Sequence, residues 1–233
     1  MQNLIVFDKE TGLAAPGAAL SYIVAVFCVV TALAFAVIVM GLRKYKAPRE
    51  FESAFRGRTV FYPLGYIAFG FLMVAGATWL FIAAGHSEYP TLFRTLALLA
   101  AGSGVAVPVL LNGTKNNLDT GAKCLCSVVP VAQFCFWLIV SYKEHAANPT
   151  VWVYAIEILA ISAALLGFYF LSGYAFGRAR PLPAIYFCGL GGYMCIVVLA
   201  DSLTMGRQLM FLATAVLLLL TTVVLVENLE EKG

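Results

Sequence analysis

Charged residues are scarce in this sequence. Aspartate, glutamate, lysine and arginine make up 12% of its 233 residues, whereas hydrophobic residues make up 62%. A soluble domain has about 25% charged and about 45–50% apolar residues. So few charges could not cover the surface of a water-soluble protein of this length, and the sequence therefore predicts a protein whose main partner is the lipid bilayer. The net charge of +3 gives no reason to expect a nucleic-acid partner.

Histidine is also rare, and this excludes several classes of membrane protein. The only two histidines, His86 and His145, lie in predicted loops, whereas haem-binding subunits carry axial histidines and zinc-dependent hydrolases need several ligands. The last apolar segment has no lysine for a retinal Schiff base. No segment holds a Ser/Lys or Asp/Asp arrangement for proteolysis. We therefore expect no metal, no cofactor and no catalytic set, which makes an enzyme the least favoured class.

The six cysteines do not change this expectation. Four of them lie within apolar runs, where a thiol behaves as a small hydrophobic group. The remaining two, Cys124 and Cys126, form a C-x-C pair beside Lys123. Two thiols without further ligands do not make a metal site.

Long apolar runs dominate the remaining sequence. A helix needs about 20 residues to cross about 30 Å of hydrocarbon, and seven segments are long enough. Turn residues such as Tyr89-Pro90, Asn112-Gly113 and Asn148-Pro149 separate them. The predicted fold is an all-α integral membrane protein formed by one seven-helix domain over residues 1–233. The predicted spans are 18–42, 59–85, 90–111, 122–142, 150–176, 182–203 and 206–228.

The distribution of basic residues predicts the orientation of the spans. With the N-terminus outside, 11 of the 15 basic residues fall in the cytoplasm and 4 fall outside. Every cytoplasmic loop is enriched, as the positive-inside rule requires. The sequence therefore predicts a multi-pass protein of the plasma or bacterial inner membrane, with the N-terminus outside and the C-terminus in the cytoplasm.

The loop over residues 43–58 is the only sizeable cytoplasmic loop. Phe51, Ala54 and Phe55 are at helical spacing, and arginines surround them. This pattern predicts a short amphipathic helix at the membrane surface. Such a basic loop either anchors the protein against anionic lipid or binds a cytoplasmic partner protein.

Seven spans also allow an internal duplication. Basic loops follow the first and fifth spans, and each leads to a helix that starts with proline: YPLGYIAFGF and LPAIYFCGLG. Two such halves around the fourth span would give a 3+1+3 parallel repeat similar to that of sugar-transporting SWEET proteins. Neither half carries the Pro-Gln dipeptide of the related PQ-loop proteins.

Glu157 is the main candidate for a functional residue. It lies about two turns inside the fifth span, where a charged side chain costs free energy and commonly marks function. Tyr154, Ala160 and Ala164 share its helix face, and Gly167 continues this stripe of mostly small residues. Because small residues favour close helix packing, we expect Glu157 to face the bundle.

The partners of Glu157 must come from the same outer third of the bundle. Arg94 and Arg207 are the available cations, and Asp201 is a second acid. Such a cluster is either a buried ion pair that holds helices together or a site for a charged or zwitterionic small molecule. Aromatic residues with polar atoms could line that site: Trp152, Tyr154 and Tyr193.

Glycines and prolines mark helix contacts and bends. Gly189, Gly191 and Gly192 allow either close packing or local unwinding of the sixth helix. Pro108 and Pro130 each remove a helix hydrogen bond, so we expect kinks there.

Two functions remain compatible with these features. The first is a small-molecule carrier or facilitator with an outward-facing polar site around Glu157. The second is a seven-helix receptor or membrane subunit that binds a partner protein through residues 43–58.

Overall fold

Long helices account for most of the computed structural model, which describes residues 19–56, 61–112, 118–145, 152–201 and 203–231. Within these ranges, seven helices are long and apolar enough to cross a membrane. The helices are α1 (Ala19–Gly41), α2 (Phe61–Ala83), α3 (Pro90–Asn112), α4 (Thr120–His145), α5 (Trp152–Ala175), α6 (Pro181–Val198) and α7 (Met205–Glu227). The prediction of an all-α, multi-pass membrane protein is therefore confirmed.

Six of the seven helices form a closed ring. Each helix from α2 to α6 packs against the next one in the chain, α6 packs against α7, and α7 returns to α2. Large apolar side chains fill the centre, where the rings of Trp137 from α4 and Phe211 from α7 lie 4.6 Å apart between centroids. Both side chains are almost completely buried. Aromatic groups therefore pack the interior of the ring.

Helix α1 lies outside this ring and packs mainly against α6. Its other faces remain largely exposed, as at Val37 and Ile38. Helix α4, by contrast, is a full member of the ring. This packing gives no support to the predicted 3+1+3 repeat, in which the fourth span would separate two equivalent groups of three.

Glycines let the backbones of neighbouring helices approach one another. A β-carbon built on Gly70 of α2 would lie 2.5 Å from the carbonyl oxygen of Gly104 in α3. A β-carbon on Gly76 would lie 2.8 Å from the carbonyl oxygen of Gly206 in α7. Small residues at such contacts are typical of helix packing in membranes. They fix α2 closely against both of its neighbours in the ring.

The three glycines of the GLGG segment lie within a continuous α6. A β-carbon would meet Phe35 of α1 at Gly189, Ala163 of α5 at Gly191 and Leu219 of α7 at Gly192, at distances of 2.9, 3.1 and 2.7 Å. The sequence predicted either close packing or local unwinding for these glycines, and the structure shows close packing. Pro108 and Pro130 lie inside α3 and α4, and both helices continue past them.

The segment 42–56 closes one end of the ring. A short helix at Phe51–Ala54 follows a 3-10 turn at Leu42–Lys44. Phe51, Ala54 and Phe55 are buried, and the Phe55 ring lies 5.3 Å from that of Tyr174 at the end of α5. The apolar side of this segment therefore packs against the bundle itself, and its position at the membrane surface stays a prediction. The open end of the ring offers Phe51 and Phe55 an apolar surface closer than lipid.

The C-terminal residues hold this segment in place. Strand β1 (Tyr45–Lys46) pairs antiparallel with β2 (Glu230–Glu231). The Asn228 side chain donates hydrogen bonds to the carbonyl oxygens of Ala54 at 2.9 Å and Arg56 at 3.2 Å. We call Phe51–Arg56 the plug, and the end of the bundle that it closes the plug end. The other end, where α7 begins, is the Arg207 end.

Candidate functional site

Arg207 is the centre of a partly buried ionic cluster at the Arg207 end. It is the third residue of α7 and its side chain is buried. The guanidinium pairs with Glu144 near the end of α4 and lies 3.6 Å from a carboxylate oxygen of Glu157 in α5. It also lies over the ring of Phe93 in α3, 5.3 Å from the centroid. One side chain thus joins four helices of the ring.

The backbone of α7 brings Arg207 into this position. The preceding residue, Gly206, faces α2, where its β-carbon would lie 3.0 Å from the carbonyl oxygen of Gly76. This contact fixes the first turn of α7 against α2. Because adjacent residues project from a helix about 100° apart, Arg207 then projects away from that contact and toward α3, α4 and α5.

Glu157 is buried and incompletely paired. Ala160, Ala164 and Gly167, the small residues predicted on its face, are buried as well. Within the described ranges, no donor forms a hydrogen bond with the Oε1 atom of Glu157, and the Nε–H of Arg207 has no acceptor. The separation of 3.6 Å from Arg207 is an ion pair without a direct hydrogen bond. Glu157 therefore keeps capacity to accept a hydrogen bond from another group.

Tyr154 and His145 form the rim of the cluster. Their rings are stacked with centroids 4.4 Å apart, one helical turn before Glu157 in α5 and next to Glu144 in α4. The Nδ1 atom of His145 lies 2.8 Å from the carbonyl oxygen of Ser141. Since a carbonyl oxygen only accepts, Nδ1 is the protonated nitrogen. In the neutral ring the second nitrogen is then a hydrogen-bond acceptor.

Asp201 lies in the connection between α6 and α7 and is half-buried. Burial raises the pKa of its carboxyl group above the ordinary value, because removal from water disfavours the charged form. Asp201, Glu144 and His145 all lie close enough to interact electrostatically with Glu157. Within the described residues, Glu157 therefore has Arg207, His145 and two further acids, Glu144 and Asp201, around it.

Three predicted members of the site are not placed in this cluster. Arg94 is exposed, with its guanidinium 5.7 Å from the centroid of the Phe81 ring, and within the described residues it has no ion pair with Glu157. Tyr193 lies between α6 and α1, near Thr31 and Phe35. Trp152 begins α5, but its side chain lies outside the described residues. Of the two predicted cations, Arg207 is the one beside Glu157.

Sequence reasoning missed Glu144 and His145. We predicted that the fourth span ends at residue 142, but α4 continues to His145. The signal was present, since no helix-breaking residue interrupts the chain before Asn148-Pro149. Glu144 and His145 also follow the buried Val140 and Ser141 at helical spacing. Lys143, Glu144 and His145 are polar and therefore mark the end of the apolar run. The helix itself continues through them.

The cluster contains more acid than base. Two carboxylates, those of Glu144 and Glu157, share the single guanidinium of Arg207. With all three groups ionised, the group carries one negative charge. Glu144 is exposed, whereas Glu157 and Arg207 are buried, so the excess negative charge lies at the edge of the cluster, where it favours the approach of a cationic group.

Comparison with known protein families, curated proteins and solved structures finds no match for this chain.

Proposed function

We propose that the chain is a small-molecule carrier or facilitator whose solute site is the cluster around Glu157. One observation carries this proposal: Arg207 is shared by Glu144 and Glu157, and Glu157 keeps a buried oxygen without a hydrogen-bond donor. Ionisable groups in membrane spans commonly mark substrate or ion pathways. The negative excess of the cluster favours a solute with a positive group, either cationic or zwitterionic.

Buried polar side chains along the helices of the ring support a path for a solute. Buried polar side chains in the described residues lie on α3, α4, α5 and α7: Ser103, Ser127, Gln133, Ser141, Glu157, Ser172, Arg207, Thr214 and Thr221. On α4, Gln133 Oε1 and Ser141 Oγ have no hydrogen-bond partner within the described ranges. Ser127 and Ser141 are 14 residues apart, which is about 21 Å along a helix. Polar groups therefore recur across most of the membrane thickness.

Two barriers interrupt this path, as alternating access requires. Trp137 and Phe211 meet in the half of the bundle nearer the Arg207 end, and Phe51 and Phe55 close the plug end over a cavity of about 20 Å³. The plug is a short segment held by the Asn228 hydrogen bonds, and a two-residue strand pair holds Tyr45–Lys46 just before it. Displacement of the plug would open this end while the ionic cluster holds the other.

We further propose that the Arg207 end faces the outside of the cell. The positive-inside rule supports this orientation, because Arg43, Lys44, Arg49, Arg178 and Arg180 all lie at the plug end. A solute would then reach the Glu157 cluster from the external side.

Uptake into proteoliposomes tests the proposal. Radiolabelled ethylamine, tetramethylammonium, lysine and glycine cover cationic and zwitterionic solutes. We expect uptake of at least one compound above protein-free liposomes, and its loss in Glu157→Gln. Glu88→Gln, which changes an exposed acid at the same end, is the matched control and should retain uptake.

Two results would contradict the carrier. One is uptake of all four compounds equal to that of protein-free liposomes. The other is equal uptake by wild type and Glu157→Gln, when both elute as folded protein in size-exclusion chromatography. If Glu157→Gln fails to fold, the cluster holds helices together and the carrier loses its main support.

The receptor or subunit alternative has less support. Its predicted binding loop, residues 43–58, uses Phe51, Ala54 and Phe55 to pack into the bundle, which leaves mainly its charges for a partner. Co-purification from membranes, with wild type compared with a variant in which the basic residues 43–58 are neutralised, distinguishes this function.

A further inference from the structure

A second cavity lies at the plug end, away from the Glu157 cluster. It has a volume of about 450 Å³ and lies between α4, α5 and the turn that leads to α6. Val128, Val131, Tyr169 and Phe176 form its apolar walls, and Arg178 and Arg180 complete its lining. Val128, Tyr169 and Phe176 are substantially exposed on the outer surface of the ring. The cavity therefore opens toward the hydrocarbon and carries its positive charges at one end.

The turn from α5 to α6 fixes the position of the two arginines. Gly177 has a φ of 67°, the left-handed conformation that ends many helices. The N–H of Arg178 donates to the carbonyl oxygen of Gly173 at 2.8 Å, and that of Gly177 donates to Tyr174 at 3.2 Å. These two bonds form a Schellman motif. Arg180 then immediately precedes α6, which begins at Pro181.

The arginines are not neutralised by the protein. Both are exposed, and neither has an ion-pair partner in the described part of the chain. At the same end, the carboxylate of Glu52 pairs with Lys123 at 3.0 Å. This acid therefore does not neutralise either arginine. Two unpaired guanidinium groups beside an apolar cavity present charge and hydrocarbon surface to the same ligand.

We infer that this cavity binds an anionic phospholipid. The headgroup phosphate would bind Arg178 and Arg180, because guanidinium groups match phosphate oxygens in geometry and charge. An acyl chain would lie along Val128, Val131 and Tyr169. Basic pockets between spanning helices are suited to anionic headgroups. A soluble phosphate would use the arginines but not the apolar walls, which is why the lipid is the ligand that fits the whole cavity.

The site lies at headgroup depth. Arg178 and Arg180 are between the spanning segments Tyr154–Ala175 and Pro181–Val198, whereas Val128 is about 12 Å along α4 from its first residue. This arrangement follows the axis of a phospholipid from headgroup to chain. The inference needs only the membrane location of the bundle, so it is independent of the proposed transport.

Lipid binding to the purified full chain tests this inference. In neutral detergent, added phosphatidylglycerol should raise the melting temperature, whereas phosphatidylcholine or inorganic phosphate at equal concentration should not. The variant Arg178→Gln/Arg180→Gln should bind phosphatidylglycerol roughly thirtyfold more weakly. Arg49→Gln/Arg56→Gln, which removes two exposed arginines from the neighbouring segment, is the matched control and should bind as wild type does.

A second variant tests the apolar part of the cavity with all charges intact. Val128→Trp should fill the space of the acyl chain and weaken phosphatidylglycerol binding, while the melting temperature without lipid stays unchanged. Equal weakening in both arginine pairs would show general charge attraction and overturn the inference. Equal stabilisation by phosphatidylcholine or by inorganic phosphate, or unchanged binding in Arg178→Gln/Arg180→Gln, would also overturn it.

Discussion

Gly70 and Gly104 bring α2 and α3 into backbone contact, since a β-carbon on Gly70 would lie 2.5 Å from the Gly104 carbonyl oxygen. Carbonyl groups in a helix cannot yield as a flexible side chain does. Gly70→Ala should therefore separate the helices and lower the free energy of unfolding by about 1–3 kcal/mol. Denaturation in a graded series of SDS concentrations measures this change.

Gly102 provides the control for Gly70. A β-carbon there would meet only Val129, at 3.5 Å, which is an ordinary van der Waals contact. Gly102→Ala should leave the unfolding transition nearly unchanged. Equal destabilisation by the two alanines would contradict the close approach of α2 and α3.

Removal of Arg207 should destabilise the bundle strongly. Arg207→Met would leave the buried carboxylate of Glu157 without its cation, and breaking a buried pair in this way costs about 3–5 kcal/mol. Adding Glu157→Gln to Arg207→Met should restore part of the loss, because one uncompensated charge is then removed. The control is Arg94→Met, an exposed arginine at the same end. A loss in Arg207→Met no larger than that in Arg94→Met would refute the cluster.

The plug depends on Asn228. Asn228→Ala removes the hydrogen bonds to the carbonyl oxygens of Ala54 and Arg56, so the plug should detach more often. Trypsin should then cleave after Arg56 several times faster than in wild type, as mass spectrometry of the fragments would show. Asn112→Ala, at the end of α3 on the same side of the bundle, is the control. Unchanged cleavage in Asn228→Ala would contradict this role.

Asp201 should make stability depend on pH. Burial raises its pKa in the folded protein, so the folded state binds this proton more tightly than the unfolded state does. Ionisation therefore lowers stability as the pH rises through and above the ordinary pKa of about 3.9. Asp201→Asn should match wild type at about pH 4 and melt at a higher temperature at about pH 7. Glu88→Gln is the exposed control, and a difference between Asp201→Asn and wild type that stays constant with pH would be evidence against burial.

Reporter fusions test the proposed orientation. A green fluorescent protein fused to the C-terminus should fluoresce, because this reporter folds in the cytoplasm, and an alkaline phosphatase fused there should be inactive. The reverse pattern would place the Arg207 end in the cytoplasm.

The sequence was sufficient for the helices because a membrane span has a strong one-dimensional signal. Runs of about 20 apolar residues predicted seven spans, and the described residues contain seven helices of that kind. Six of them lie within three residues of their predicted limits, whereas α6 ends at Val198, five residues before the predicted end of the sixth span. The order of packing has no such signal. Apolar helices in lipid associate through shape and small residues, without a hydrophobic difference to favour one neighbour over another. The ring, with α1 outside it, therefore could not be predicted from composition.

The site shows the same division. A carboxylate within an apolar run pointed to Glu157, and the small residues on its face indicated burial. The choice between Arg94 and Arg207 depended on the rotation of α3 and α7, which the sequence does not contain. Gly206, next to Arg207, indicates a close helix contact, but the sequence does not show that this contact is with Gly76 of α2. The helical spacing of Phe51 and Phe55 likewise fits packing on a membrane surface and packing into the end of the ring equally well.

The position of α1 has a consequence for the synthesis of the protein. Its main neighbour, α6, begins at Pro181, about 140 residues after α1 ends at Gly41. At about 5–20 residues per second, a ribosome needs roughly 7–28 s to make the intervening chain. During that interval α1 stays in the bilayer without its final neighbour. Its uncharged, strongly apolar sequence allows it to insert without that neighbour, so a helix translated before the whole ring is among the last to dock.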